Sequence, residues 1–335
     1  MKYNEHPLFQ ISQNVEKSAP PTADATPSEG GQLFSASIGQ TIKLKLGSIL
    51  YPAKNAVERK WVNRRLVKLG VPQPQTQLPN VISWGNKGFG TEIFLKRIAK
   101  TLGKVETVTS FGCGTGGECL LIAKHLRPKH IIGCDYFNYK TAWDHVTKEA
   151  ISKYGVKVSF YQMDLRNPLP ANFPKADLLI SISVLEHLRD FEQSLVLLKT
   201  LLRHKGHFAS LWGPMWYSYS GDHIASELGL AKAYEHILLD TEGYIDFYKK
   251  HPRNVADVGN GIPTWLELGL HNFARYDEYI GLIEQIYGKS VYLQWCISPD
   301  SFQYQAQFPE NWRSALSQNN LTPLDLVLTQ ASIIV

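Results

Sequence analysis

The pattern of apolar and polar positions changes character near residue 105. Beyond it, short apolar runs suited to strands occur at 105–111, 130–134, 156–163, Ala176–Ile182 and 207–212. Between them lie stretches of helical spacing, at about Gly117–Leu126, 139–154 and 191–202. In the second of these, Ala142, Trp143, Val146, Ala150 and Ile151 share one face. Strands that alternate with helices predict a mostly parallel sheet covered on both faces. A long aromatic segment follows Trp212 and ends in an amphipathic helix over Tyr276–Tyr287, with Tyr279, Ile280, Ile283 and Ile286 apolar. Two closing strands are predicted at 291–297 and 326–335, which makes seven. The interruption before them reads as a lid inserted at about 213–290, within one domain spanning 105–335.

The first hundred residues have no such rhythm. Residues 1–38, where Pro20, Pro21 and Pro27 interrupt a Ser/Thr/Ala/Gly-rich stretch, read as a flexible tail. Residues 39–104 read as an accessory segment of short elements. Its clearest piece, 56–69, sets Val57, Trp61, Leu66 and Leu69 at roughly helical spacing. The same region is basic: Lys43, Lys45, Lys54, Arg59, Lys60, Arg64, Arg65 and Lys68 stand against the single acid Glu58. Such a run is either a solvated helix face or a grip for an anionic substrate or RNA.

Composition narrows the class without naming an activity. The 335 residues are 44% hydrophobic and 19% charged, which excludes wholesale disorder. The net charge of +5 is too small to declare a nucleic-acid binder. The four cysteines, Cys113, Cys119, Cys134 and Cys296, form no CxxC pair, so neither a disulfide framework nor a zinc site is indicated. No run approaches a membrane span, and the N-terminus lacks the apolar core of a signal peptide, so a cytoplasmic protein is expected.

The most informative stretch runs from Val108 to Gly117. Gly112, Gly114 and Gly116 form a G-x-G-x-G turn directly between a predicted strand and a predicted helix. Glycine permits positive φ and removes the Cβ that would block a ligand approaching the backbone, and helix N-termini offer free N–H groups. Asp135 ends the second strand, 23 residues after Gly112, at a spacing that suits a carboxylate on ribose hydroxyls. Asp164 ends the third, where a carboxylate can accept from an exocyclic adenine amine. Either acid alone could be a cap or turn former. Two at successive strand ends, on the edge where such sheets bind ligands, point to a nucleotide-like cofactor.

With these pieces in place, the sequence resembles the class I S-adenosylmethionine-dependent methyltransferases. The matching segments are SFGCGTGG (110–117), IIGCDYF (131–137), FYQMDL (160–165), ADLLISISVLEHL (176–188) and LLRHKGHF (201–208), in family order and at family-like spacing. The resemblance implies a Rossmann-like α/β fold with a seven-stranded, mostly parallel sheet, and S-adenosyl-L-methionine as cofactor. It implies that Gly112, Gly114 and Gly116 pack against the methionine and ribose, that Asp135 holds the ribose hydroxyls, and that Asp164 and Leu165 meet the adenine. Tyr136 would flank the adenine ring, and Ser183 would lie on the cofactor-facing loop. Two positions depart from the pattern. The family often has an acid where Ser110 stands, so contact to the cofactor's amino acid end is to be remade elsewhere. His207 replaces a usual glycine before the fifth strand.

The acceptor end is less sharply written. The loops after the fourth and fifth predicted strands carry Glu186 and His187, and then Trp216, Tyr217, Tyr219 and His223. A Glu-His pair at a helix start can simply cap it and order the loop. It can also act as a base or metal pair. Some relatives carry Glu-x-x-Glu-His here and bind a divalent ion, but Ser183 replaces the first Glu. A Glu186/His187/His223 metal set is the alternative. The expected catalytic residues are His223, His187 and Glu186, with Trp216, Tyr217 and Tyr219 as the wall of a substrate pocket. The expected reaction is methyl transfer to a small-molecule hydroxyl. RNA modification through the basic 43–68 region, or a cofactor-binding subunit without catalysis, are the other readings.

Overall fold

The computed structural model describes residues 64–68, 81–84, 90–165, 169–170, 172–223, 228–250 and 269–335. The expected tail, and with it Lys43, Lys45, Lys54, Arg59 and Lys60, lies outside the described residues. Of the predicted 56–69 helix, residues 64–68 are helical, with Leu66 buried and Arg64, Arg65 and Lys68 exposed.

Among the described residues, eight strands form one sheet: β1 (Val81–Trp84), β2 (Thr107–Phe111), β3 (His130–Asp135), β4 (Lys157–Gln162), β5 (Ala176–Ile182), β6 (Leu202–Trp212), β7 (Tyr292–Ile297) and β8 (Leu328–Ile334). Their order is β1-β7-β8-β6-β5-β2-β3-β4. All seven expected strands are present. The eighth, β1, adds in parallel to the outer edge of β7. At four residues it is too short to show a period. The strand β8 runs antiparallel to both of its neighbours, β6 and β7, and every other pair is parallel.

The central strands are apolar on both faces because both faces are covered. Val108, Ile131, Leu178, Ile180 and Ala209 enter one core with Leu95 and Ile98 of α1 (Thr91–Leu102), Ile122 of α2 (Gly117–Leu126) and Val146 and Ala150 of α3 (Lys140–Tyr154). Phe111, Ile132, Leu179, Phe208 and Trp212 enter the other with Leu195 of α4 (Phe191–Lys199). Leu66 is buried in this second core, so the basic turn at 64–68 is anchored to the domain by Leu66, while Val67 stays exposed.

The second core continues into the segment after β6. Two short helices, α5 (Glu235–Leu238) and α6 (Thr241–Lys250), precede α7 (Tyr276–Tyr287), whose bounds match the amphipathic stretch. The two closing strands are not a simple hairpin: α8 (Pro299–Gln307), α9 (Pro309–Gln318) and α10 (Pro323–Val327) stand between them. Prolines at the first turn of all three mark their starts. These helices bury the aromatics of the earlier segment: Tyr234 meets Tyr304 and Trp312 edge-on and donates its hydroxyl to Leu326 O at 2.7 Å.

One ion pair ties α7 to α10. The buried Asp325 carboxylate accepts from Arg275 Nε and Nη2 at 3.1 and 2.8 Å and from Thr322 N and Oγ1 at 2.7 and 2.8 Å. Removing one partner of a buried charged pair leaves the other uncompensated. Asp325→Ala is therefore expected to cost about 3 kcal/mol, read as a lower midpoint in chemical denaturation, and an unchanged midpoint would contradict it.

Candidate active site

The strand order locates the site. The chain runs outward from β2 through β3 to β4, then returns to β5 on the other side of β2. Loops leaving β2 and β5 therefore diverge, and the crevice between them at the carboxyl ends is where sheets of this kind bind ligands. Gly112 follows β2 and Ser183 follows β5. The two loops touch: a Cβ at Gly112 would lie 2.2 Å from Val184 Cγ2.

Gly112, Gly114 and Gly116 all have left-handed φ, at 71, 51 and 88°. A side chain at Gly116 would collide with Phe160 at 2.8 Å, whereas Gly114 faces open space. Gly114 is thus the point where a ligand can approach the backbone. The turn is held from three sides. Gly112 N–H and Cys113 N–H donate to Cys134 O at 2.7 and 3.0 Å. Trp143 Nε1 donates to Gly114 O at 2.8 Å, while its ring stacks on Phe160 with centroids 5.0 Å apart. Asp135 accepts Gly114 N–H on Oδ2 at 2.7 Å and Phe137 N–H on Oδ1 at 2.9 Å. Burial pushes the Asp135 carboxyl up, and these backbone donors oppose the shift.

The other cofactor candidates flank this turn. Tyr136 is half-buried, and its carbonyl accepts from Gln162 Nε2 at 3.2 Å. Asp164 and Leu165 are half-buried on the loop after β4. Ser183 is exposed at the crevice with φ 55°, its N–H bonded to Leu211 O at 2.8 Å. Ser220 and His223 also adopt positive φ, at 56 and 63°. Three non-glycine residues in this region gather on the loops after β5 and β6, as strained backbone tends to at functional sites.

At the acceptor end the structure separates the expected residues by role. Glu186 is 3% exposed, and Oε1 accepts Gly213 N–H at 3.0 Å, while its carbonyl accepts Asn272 N–H at 2.8 Å. It braces the loops after β5 and β6 and the 269–275 segment. Burial pushes its carboxyl up to about 8, so it is protonated at neutral pH. His187 is half-buried, with Nδ1 2.8 Å from Leu270 O. A carbonyl only accepts, so Nδ1 carries the proton and neutral His187 keeps its lone pair on Nε2. His223 lies beside it, with ring centroids 5.1 Å apart.

Trp216 and Tyr217 are 1% and 8% exposed, in the packed interior, and only Tyr219 is half-buried. Trp216 packs against His236, Tyr244, His271 and Phe273. Its buried surroundings, with His236 Nε2 2.6 Å from Trp216 O, are those of a core residue. Among the described residues no group of three or more His, Cys, Asp or Glu could hold a metal ion, so Glu186, His187 and His223 do not form the alternative metal set. Glu118, His271 and Asn272 were not anticipated. Glu118 directly follows the glycine turn and was readable there. His271 and Asn272 arrive from a distant segment with no motif of their own.

These features fit S-adenosylmethionine: a glycine-opened backbone at Gly114, a carboxylate fixed at the end of β3, and a second acid at the end of β4. Residues 110–208, under a third of the chain, match a family model described as a methyltransferase domain. Fold and site together define a Rossmann-like methyltransferase domain of the class I plan. The family match covers the part of the sheet from β2 to β6, which carries the glycine turn and both acids. No curated protein sequence matches it. Solved structures similar to it include the N-methyltransferase NodS from Bradyrhizobium japonicum WM9 in complex with S-adenosyl-L-homocysteine, at 16% identity over 46% of this chain and 73% of that one, TM-score 0.32. Others are an S-adenosylmethionine-dependent methyltransferase from Mesorhizobium loti (14%, covering 73% and 97%, TM-score 0.41) and the [4+2]-cyclase SpnF (12%, covering 83% and 94%, TM-score 0.41). At these identities and scores, none of them bears on the chemistry of this chain.

Two outcomes follow from the geometry. Asp135→Ala should weaken S-adenosylhomocysteine binding at least about tenfold by calorimetry, the worth of a lost charge-assisted bond; unchanged affinity would refute the assignment. Glu186 titrates above its unfolded value, so it favours folding at low pH, and that contribution is lost between about pH 4.5 and 8. Glu186→Gln should flatten the fall of the melting temperature across that window, whereas an equally steep fall would show that Glu186 ionises freely.

Proposed function

We propose that this protein methylates a hydroxyl of a small molecule, with His187 and His223 handling the proton. The observation that supports this is the pair of imidazoles at the ends of β5 and β6, one fixed by Leu270 O so that its lone pair lies on Nε2. The cofactor supplies an electrophilic methyl group on a sulfonium. The chain's own work is to hold the acceptor in line and to receive its proton. His187 is oriented for that task, and His223 is placed to share the proton. Glu186, neutral and bonded to Gly213 N–H, positions the loop. The segment after β6, with Tyr219 at its half-buried margin, closes over the acceptor as a lid.

A second reading rests on the turn at 64–68, where Leu66 is buried and Arg64, Arg65 and Lys68 are exposed. That arrangement holds cationic side chains at the surface, as RNA binding would require.

The test is a screen of metabolite extracts with isotopically labelled cofactor. A labelled small-molecule ether supports the proposal; label on an amine or carbon, or on RNA with steeply salt-dependent binding, overturns it. With the acceptor in hand, His223→Ala should lower kcat about 100-fold or more while leaving S-adenosylhomocysteine affinity within twofold. A fully active variant removes His223 from catalysis.

A further inference from the structure

Glu118 is an acid beside the glycine turn that neither the family pattern nor the proposed reaction uses. It lies in the first turn of α2, directly after the glycine turn, and it accepts a hydrogen bond from Ser110 Oγ. Ser110 is fully buried on β2, two residues before Gly112. The carboxyl of Glu118 therefore comes from the helix to the side chain at which the resemblance leads one to expect an acid on the strand.

Its electrostatic setting is unbalanced. The charge that acts on it is another acid, Asp135, and both acids also act on the buried Cys113 thiol. Burial pushes Glu118 up to about 8, the Ser110 bond opposes that shift, and the Asp135 charge adds to it least. Lysines and histidines at the other end of α2 are engaged elsewhere: Lys124 and His125 pair with Glu92 of α1. Among the described residues no Lys, Arg or His forms an ion pair with Glu118. A half-buried acid that feels a second, buried acid and has no ion-pair partner among the described residues favours a bound cation.

We propose that Glu118, held by Ser110, receives the α-ammonium group of the cofactor's amino acid end, in place of an acid on the strand. Ser110 acts through it as a positioning residue. The proposal rests on the methyltransferase reading and concerns one end of its ligand. Asp135 serves the ribose end, so the two acids divide one cofactor between them.

The experiment compares two ligands by calorimetry on the full chain. S-adenosylhomocysteine carries the α-ammonium, and 5′-methylthioadenosine keeps the nucleoside and thioether but lacks the amino acid end. Glu118→Gln should weaken S-adenosylhomocysteine about 10–100-fold, the loss expected for one charge-assisted bond, and leave 5′-methylthioadenosine within twofold. Retained 5′-methylthioadenosine binding also reports that the variant is folded. Glu118→Asp, which keeps the charge on a shorter stem, should fall between wild type and Glu118→Gln for the first ligand only. Equal affinity of wild type and Glu118→Gln for S-adenosylhomocysteine overturns the proposal, as does a parallel loss of both ligands. A wild-type protein that binds neither ligand would instead overturn the cofactor reading itself.

Discussion

The 2.7 Å bond from Gly114 N–H to Asp135 Oδ2 joins the turn after β2 to the end of β3, and the rest of the site is arranged around that junction. Left-handed backbone at Gly112, Gly114 and Gly116 lets the chain reverse between strand and helix without side chains in the way. Without a fixed partner such a turn would be loose, since glycine has the most conformational freedom to lose. The Asp135 carboxylate, the Trp143 indole and the Cys134 carbonyl supply that partner from three directions. A backbone surface free of Cβ atoms is thereby held rigid at the point where the strand order reverses.

The acceptor end follows the same logic with different chemistry. Neutral Glu186 bonds to Gly213 N–H across the ends of β5 and β6, and its carbonyl ties in the segment at Asn272. Leu270 O, brought in by that segment, fixes the tautomer of His187. A buried proton on Glu186 thus has a consequence on His187: the brace holds the loops whose carbonyl orients the imidazole. Strained backbone at Ser183, Ser220 and His223 lies on those same loops, stabilised by the packed aromatics behind them.

Much of this was legible in the chain. Strand and helix periods located the seven expected strands, and the helix Tyr276–Tyr287 was read to the residue, because its amphipathic face is complete within the segment. The glycine turn and Asp135 were legible because their chemistry is local. The helices between β7 and β8 were not, although α9 is as amphipathic as α7; their buried residues, Tyr304 and Trp312, find their partner Tyr234 far away in sequence. For the same reason Trp216 and Tyr217 looked like a pocket wall. Aromatics next to small residues read alike whether they line a cleft or fill a core, and only the partners contributed by α6 and the 269–275 segment decide between the two.

The most direct measurement is a structure of the protein bound to S-adenosylhomocysteine. The account predicts the ligand in the crevice at the carboxyl ends of β2 and β5, against the open face of Gly114, with its ribose within hydrogen-bond reach of Asp135 at the end of β3. A hollow of about 340 Å³ opens beside the edge strand, lined by Asn138, Lys140, Trp143 and Gln162 among others. A ligand seated there, or anywhere that leaves the Gly114 turn uncovered, would contradict it.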